Sequence, residues 1–414
     1  MKAGSPRAHL SVGGDVVVSH RSIVSAAILA AASVAACGAP APGGKPDAGN
    51  GAGPTGGNGT GGLPASGGAP GSGGAAGLGG AAGSTARTDA GSGGGARDAG
   101  AASDGSARHD AGADVAGTLA KLNLFYLDVT GGRVLTASAA NPVAKVLVAS
   151  AGQGPDGVAV DVAGGHVYWT GMGVPSANDG FVMRADLDGS NVRTLVPAGG
   201  TFTPKQIKLD LAGGKMYWSD REGMRVMRAD LDGSNVEALV TTGQTDADRT
   251  DQSRWCVGIA LDLAGGFVYW SQKGPSDGHV GTLRRAHLAI PAGETSVDRT
   301  DIEVLFDQLP EPIDLDLDLG ARYIYWTDRA DNTVSRAPIE IPAGFTAATR
   351  TDRQILVANV ATAIGVALDL PRGKVYYTSG ANGPLGRVNL DGTENESLIP
   401  MAGNLTGIAL GQSP

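Results

Sequence analysis

Five stretches of the chain read alike: GVAVDVAGGHVYWTG (157–171), QIKLDLAGGKMYWSD (206–220), GIALDLAGGFVYWSQ (258–272), DLDLDLGARYIYWTD (314–328) and GVALDLPRGKVYYTS (365–379). In each, an Asp stands eight residues before the second aromatic of a pair, as in Asp161 with Trp169 and Asp369 with Tyr377. The second aromatics recur at intervals of 49, 52, 56 and 51 residues, and a sixth copy, Leu124-Phe125-Tyr126-Leu127-Asp128, lies 43 residues before Trp169. Repeats of this length indicate a propeller or a stacked array. The runs are short, rich in β-branched and aromatic residues, and broken by Gly-Gly steps such as Gly164-Gly165, which is strand and turn chemistry. A third strand and an Asp-Gly turn follow (Val182 to Ser190, Val226 to Ser234), and then a fourth, such as Val192 to Val196. Glycine accepts the positive φ that a tight hairpin requires.

Four antiparallel strands per repeat and six repeats predict an all-β, six-bladed β-propeller over residues 118–414. The folded part starts on the second strand of a blade (Asn123 to Leu127) and finishes on a first-strand sequence, Gly407-Ile408-Ala409-Leu410. The C-terminal strand is therefore expected to complete the first blade and close the ring, removing an open edge.

The chain of 414 residues confines all of its 19 aromatics to the stretch between Phe125 and Tyr377. Residues 38–117 form a Gly, Ala, Ser and Pro tract without apolar periodicity, which reads as a disordered, flexible linker. Ahead of it, Lys2, Arg7 and Arg21 precede the uncharged run Ile23 to Ala36. As a helix this run reaches only about 21 Å, too short to span a bilayer, and it fits a signal-peptide core. Val34-Ala35-Ala36-Cys37 resembles the lipobox of bacterial lipoproteins. That resemblance implies a signal peptide over 1–36 and lipid attachment at Cys37, so that 37–117 tethers the domain to a membrane. The expected location is the bacterial cell envelope, outside the cytoplasm, at the outer membrane or cell surface.

Within 118–414, 25 Lys and Arg stand against 34 Asp and Glu, a balance that repels phosphate and argues against nucleic acid as a partner. With one Cys in the folded part there is no disulfide framework, and Cys256, beside an apolar strand, reads as a buried small hydrophobe. Three His, at 166, 279 and 287, fall in two repeats without ligand spacing, and no nucleophile elbow, phosphate loop or zinc motif occurs. No cofactor and no metal are expected, and the five repeated Asp read as turn caps.

The signatures Tyr168-Trp169, Tyr217-Trp218, Tyr269-Trp270, Tyr325-Trp326 and Tyr376-Tyr377, each followed by Thr or Ser, resemble the YWTD repeats of low-density-lipoprotein-receptor class B propellers. The fourth motif position departs from Asp at Gly171, Gln272 and Ser379. The resemblance covers about 120–412. It implies a binding scaffold that engages a protein, peptide or glycan through its loops, with the aromatic pairs filling the gaps between blades. A channel enzyme of lactonase or lyase type with a metal, and a purely structural surface protein, are the alternatives. Irregular positions are the candidates for binding. Two long related hairpins carry Arg299 with Asp301 and Arg350 with Asp352; on the opposite face, the long segments 241–256 and 272–281 carry Arg249, Asp251, Arg254, Trp255 and Lys273. The domain is expected to be monomeric.

Overall fold

The computed structural model describes residues 121–412. The signal-type segment, Cys37 and the linker lie outside the described residues. The described chain is six four-stranded antiparallel sheets. Blade 1 combines β1 (Leu122–Asp128), β2 (Arg133–Ser138) and β3 (Lys145–Val148) with β24 (Leu405–Gln412) as its inner strand. Blade 2 runs outward through β4 (Pro155–Asp161), β5 (His166–Gly171), β6 (Gly180–Asp186) and β7 (Arg193–Thr201), and blade 3 through β8 (Pro204–Asp210), β9 (Lys215–Asp220), β10 (Arg225–Asp230) and β11 (Glu237–Thr241). Blade 4 holds β12 (Cys256–Asp262), β13 (Phe267–Gln272), β14 (Gly281–His287) and β15 (Glu303–Leu309). Blade 5 holds β16 (Pro312–Asp318), β17 (Tyr323–Asp328), β18 (Thr333–Pro338) and β19 (Gln354–Val357). Blade 6 holds β20 (Ala363–Asp369), β21 (Lys374–Ser379), β22 (Leu385–Asn389) and β23 (Glu396–Ile399). β24 pairs with β1 and lies beside both β20 and β4, so the ring closes as its last strand foretells. β7 extends past the expected Val196, because the chain folds back far enough for Thr201 to pair with Gly180.

Alternation along the second strand of each blade decides how the blades meet. Successive side chains leave a strand on opposite faces. Trp169 therefore packs against blade 1 (Val134, Val148), while its neighbour Tyr168 packs against blade 3 (Ile207, Trp218). The arrangement recurs around the ring: Tyr217 with Trp270, Tyr269 with Trp326, Tyr325 with Tyr377, and Tyr376 with Tyr126. Phe125 and Trp169 complete the set. All four of these Trp are fully buried. Such rings bury roughly 150–250 Å² each and supply the core between blades.

The hydroxyl after each aromatic pair adds a polar seam. Thr170 Oγ1 accepts from Gly157 of its own inner strand (2.8 Å) and donates to Lys205 O of the next blade (2.6 Å). Ser271 repeats this with Gly258 N and Ile313 O, and Thr327 with Asp314 N and Ile364 O. Thr378 does so with Gly365 N and Thr406 O, and Ser219 donates to Gly258 O. Blade 1 has Leu127 there, and Thr406 on its inner strand donates to Pro155 O instead (3.0 Å). Four of the five turn aspartates cap their own turns: Asp161, Asp210 and Asp262 each accept the backbone N–H three residues on at 2.7 Å, and Asp318 accepts that of Ala321 at 2.8 Å, whereas Asp369 makes no such bond and pairs with Arg372 instead.

Candidate functional site at the channel mouth

One face of the ring carries the links into each inner strand and the links between second and third strands. Two sets of equivalent residues converge there. The second residues of the inner strands are Asp156, Lys205, Val257, Ile313, Ile364 and Thr406. Val257, Ile313 and Ile364, from three consecutive blades, pack together as an apolar floor, whereas the other three consecutive blades supply polar groups. The residues immediately after the second strands are Val129, Met172, Arg221, Lys273, Arg329 and Gly380. Their equivalence is fixed by one repeated bond: Arg221 N donates to Thr203 O, Lys273 N to Trp255 O and Arg329 N to Glu311 O, all within 3.1 Å.

Buried acids pair the cations. Lys205 Nζ meets Asp156 at 2.5 Å, and Asp156 also accepts from Gln206 Nε2. Burial lowers the Lys205 pKa in spite of Asp156. Glu311, with no exposed surface, is shared by Lys273 and Arg329. Burial pulls Lys273 down to about 8, with Glu311 opposing it, while nearby Arg329 and Arg221 add to the fall. In Glu311 burial acts to raise the pKa, but Arg329 and Lys273 outweigh it and hold the carboxyl below its ordinary range. Glu222 is held down in the same way by Arg221, against the opposing effect of burial. Trp255 stands over this group, with the Arg221 guanidinium 5.1 Å and Lys273 Nζ 5.5 Å from its ring. Deeper in the channel, Asp314 accepts from Val366 N and Leu315 N, and burial pushes its pKa up to about 7. Lys208 and Asp316 lie 3.6 Å apart beside it.

The structure brings Trp255 and Lys273 together. Arg249 supports them: its carbonyl receives Trp255 Nε1–H (2.9 Å), and its guanidinium stacks 3.9 Å from the Phe202 ring. Asp251 and Arg254 serve the link itself. Asp251 accepts from Ser253 N at the start of the turn Gln252–Arg254, and Arg254 donates to Thr242 O (2.6 Å). Cys256 is fully buried, which drives its thiol up to about 12.

The hairpin residues occupy a different place from the open ligand surface expected of them. Arg299 and Arg350 have side chains 0% and 1% exposed, each clamped by its own Asp301 or Asp352. Arg299 Nη1 donates to Leu239 O of blade 3 and Arg350 Nη1 to Leu305 O of blade 4, both at 2.9 Å. In blades 2 and 3 the Asp-Gly turn makes the same contact through close approach: a Cβ on Gly189 would lie 2.0 Å from Leu147 O, and one on Gly233 2.2 Å from Leu195 O. The two Arg fasten neighbouring blades, and Asp301 and Asp352 hold them in place from within their own blades.

Sequence reading did not single out Lys205, Arg221, Glu222, Glu311, Arg329 or Asp156. A signal was available: the residue after each motif reads Met172, Arg221, Lys273, Arg329, Gly380, which breaks an otherwise regular repeat. Among the described residues no group of three or more His, Cys, Asp or Glu could hold a metal ion, and no helix is long and apolar enough to cross a membrane.

These features define a six-bladed β-propeller of the low-density-lipoprotein-receptor type. No family model matches the chain. It is 42% identical over 268 residues to low-density lipoprotein receptor-related protein 1 of Pyricularia oryzae, a match covering 62% of this chain and 84% of that protein. The chain belongs to the family of that protein. It is also 38% identical over 269 residues to a 3-hydroxyacyl-CoA dehydrogenase-like protein of Cochliobolus heterostrophus, of which it spans 56%. Among solved structures, a chain of a nidogen/laminin complex aligns with a TM-score of 0.54 at 19% identity, covering 70% of this chain and 99% of that one. TolB from Acinetobacter baumannii aligns with a TM-score of 0.50 at 13% identity, covering 71% and 67%.

Proposed function

We propose that the chain is a recognition scaffold whose channel mouth engages a polypeptide ligand, and that it works outside the cytoplasm of a bacterium, tethered through lipidated Cys37. The observation that carries the reading is the mouth itself. Trp255, Arg221, Lys273 and Arg329 occupy positions that the scaffold leaves variable, and they gather beside an apolar floor. Aromatic and Arg side chains of this kind anchor protein interfaces. The fold likeness to a propeller in a nidogen/laminin complex is in keeping with a protein ligand. The sequence before residue 118, a basic start, a short apolar run and Val34-Ala35-Ala36-Cys37, supports export and anchoring. One lipid chain gives only marginal attachment, so a diacyl group on Cys37 suits a stable anchor.

The test is affinity capture from envelope extract with the full chain and with a Trp255→Ala, Arg221→Gln variant. A polypeptide retained by the first and lost from the second is expected. Equal retention by both contradicts the mouth as the recognition face. Fatty-acid labelling that persists in Cys37→Ser contradicts the anchor.

A further inference from the structure

We propose that the face opposite the channel mouth rests on a bilayer of zwitterionic headgroups, with its exposed aliphatic side chains set into the headgroup layer. The envelope reading above supplies the bilayer, and the mouth takes no part in the contact.

This face carries the turns between inner and second strands and between third and fourth strands. Of the thirteen large apolar side chains exposed among the described residues, six stand on its tight turns and three on the mouth face; the other four belong to outer strands and to the long hairpins beside them. The six follow the repeat. The residue after the inner strand is aliphatic in blades 2 to 6: Val162, Leu211, Leu263, Leu319 and Leu370. Leu211, Leu263 and Leu370 are 40–46% exposed, and Val162 and Leu319 are half-buried. Further out, the turns between third and fourth strands of blades 1 to 3 present Val143, Val192 and Val236, 38–59% exposed. Every blade thus contributes an aliphatic group, and equivalent turns stand at one level of a ring. In four blades the turn bond comes from the Asp before the aliphatic, so capping does not call for the Val or Leu. Single exposed apolar residues need no explanation, but a set spread around one face marks a contact surface.

The chain itself says what lies beneath. Leu122, at the start of the described ring, pairs with Gln412 at the end of the inner strand, so residues 1–120 join the ring on this same face. A tether leaving here reaches a membrane without passing around the blades. A Gly- and Ser-rich chain as long as 38–117 has a root-mean-square span of roughly 50 Å. With the ring confined that closely, docking is an intramolecular event and needs only weak contacts.

Charge selects the kind of bilayer. Asp188, Asp232 and Asp391, in the Asp-Gly turns of this face, are held below the ordinary carboxylate range by hydrogen bonds from Ser190, Ser234 and Thr393. Nearby cations are already paired, Lys215 with Asp230 and Lys374 with Glu394. Anionic headgroups repel such a face, whereas a zwitterionic layer accepts its aliphatic groups without that opposition.

The test uses the chain from Gly38 onward, in which no acyl group drives binding; the ring stays whole because β24 closes on β1. Its flotation with phosphatidylcholine vesicles at about 5 mM lipid is compared with that of two triple variants of equal added charge. One carries Leu211→Glu, Leu263→Glu and Leu370→Glu, the other Val174→Glu, Val280→Glu and Met401→Glu on the mouth face. A severalfold loss in the first and none in the second is expected. Phosphatidylglycerol in place of part of the phosphatidylcholine should weaken flotation of the unaltered chain, and raising salt from about 0.05 to about 0.5 M should restore it. A second measurement does not depend on the Glu variants: an environment-sensitive dye on Val236→Cys should shift to the blue on vesicles and one on Val280→Cys should not, Cys256 being buried from the label. No flotation of the unaltered chain, equal flotation of the two variants, or a blue shift at 280 alone overturns the docking. Stronger flotation on phosphatidylglycerol overturns the zwitterionic surface. A dimer in sedimentation that the first variant splits assigns the face to a second copy and overturns the bilayer. Because Cys37 is absent from this chain, the anchor stands or falls separately, on the fatty-acid labelling above.

Discussion

The two faces of the ring solve different problems with the same repeat. On the turn face, Asp-Gly turns in blades 2 and 3 and buried guanidinium groups in blades 4 and 5 reach one equivalent place, the outer-strand carbonyl of a Leu in the preceding blade. The chemistry varies but the contact does not. At the channel mouth, equivalent positions carry Met172, Arg221, Lys273, Arg329 and Gly380, and they contribute contacts of different kinds. Irregularity of sequence therefore has two meanings here. It marks a substitute fastener where geometry is preserved, and a candidate recognition surface where it is not.

The largest expected effect is on closure. Deleting residues 405–412 removes the inner strand of blade 1, Thr406 and its bond to Pro155 O, and leaves two edges open. Loss of the cooperative melting transition is expected in circular dichroism; an unchanged transition would sink the closed ring. Next come the fasteners and wedges. Arg350→Ala leaves the half-buried Asp352 and two or more carbonyls without their guanidinium partner, and Trp270→Ala empties a filled layer between blades. Each should cost about 3–5 kcal/mol in urea unfolding. Phe345→Ala, at the exposed tip of the same hairpin as Arg350, should stay within about 0.5 kcal/mol. If Arg350→Ala is equally silent, the hairpin is not a fastener.

Thr378→Val keeps the shape but removes the donor to Thr406 O and the acceptor for Gly365 N. A loss of about 1–3 kcal/mol is expected.

The effect with the smallest step is a slope in pH. Asp314 is held up to about 7 in the fold, against about 4 for an unstructured carboxyl, so the native chain binds this proton more tightly than the unfolded one. Its contribution to stability is fully present below about pH 4, is lost as pH rises towards 7, and is level beyond. The difference in unfolding free energy between the natural chain and Asp314→Asn should change by at most about 1.4 kcal/mol per pH unit across that window. A difference independent of pH would mean that Asp314 is not held protonated.

Blade number, closure and the aromatic layers were legible because neighbouring side chains of a strand face opposite blades, both faces are buried, and the repeat shows the resulting aromatic pair five times over. The turn aspartates were legible for the same reason: a short acid beside Gly-Gly has one nearby N–H to accept. The mouth was obscure because its charges are partners across blades. Lys273 and Glu311 are 38 residues apart, and Lys205 and Asp156 are 49 apart. Arg-Thr-Asp at 299–301 and 350–352 looks in sequence like an exposed charged pair. The carbonyls of Leu239 and Leu305 that bury those guanidinium groups are 60 and 45 residues away.

The contrast between the faces is tested most directly by placing a photo-crosslinking amino acid at position 255 or, separately, at position 345 of the full chain in intact cells. A discrete polypeptide adduct at 255 and none at 345 is the predicted result. An adduct at 345 alone would show that the hairpin face does the recognising and that the mouth is only another seam.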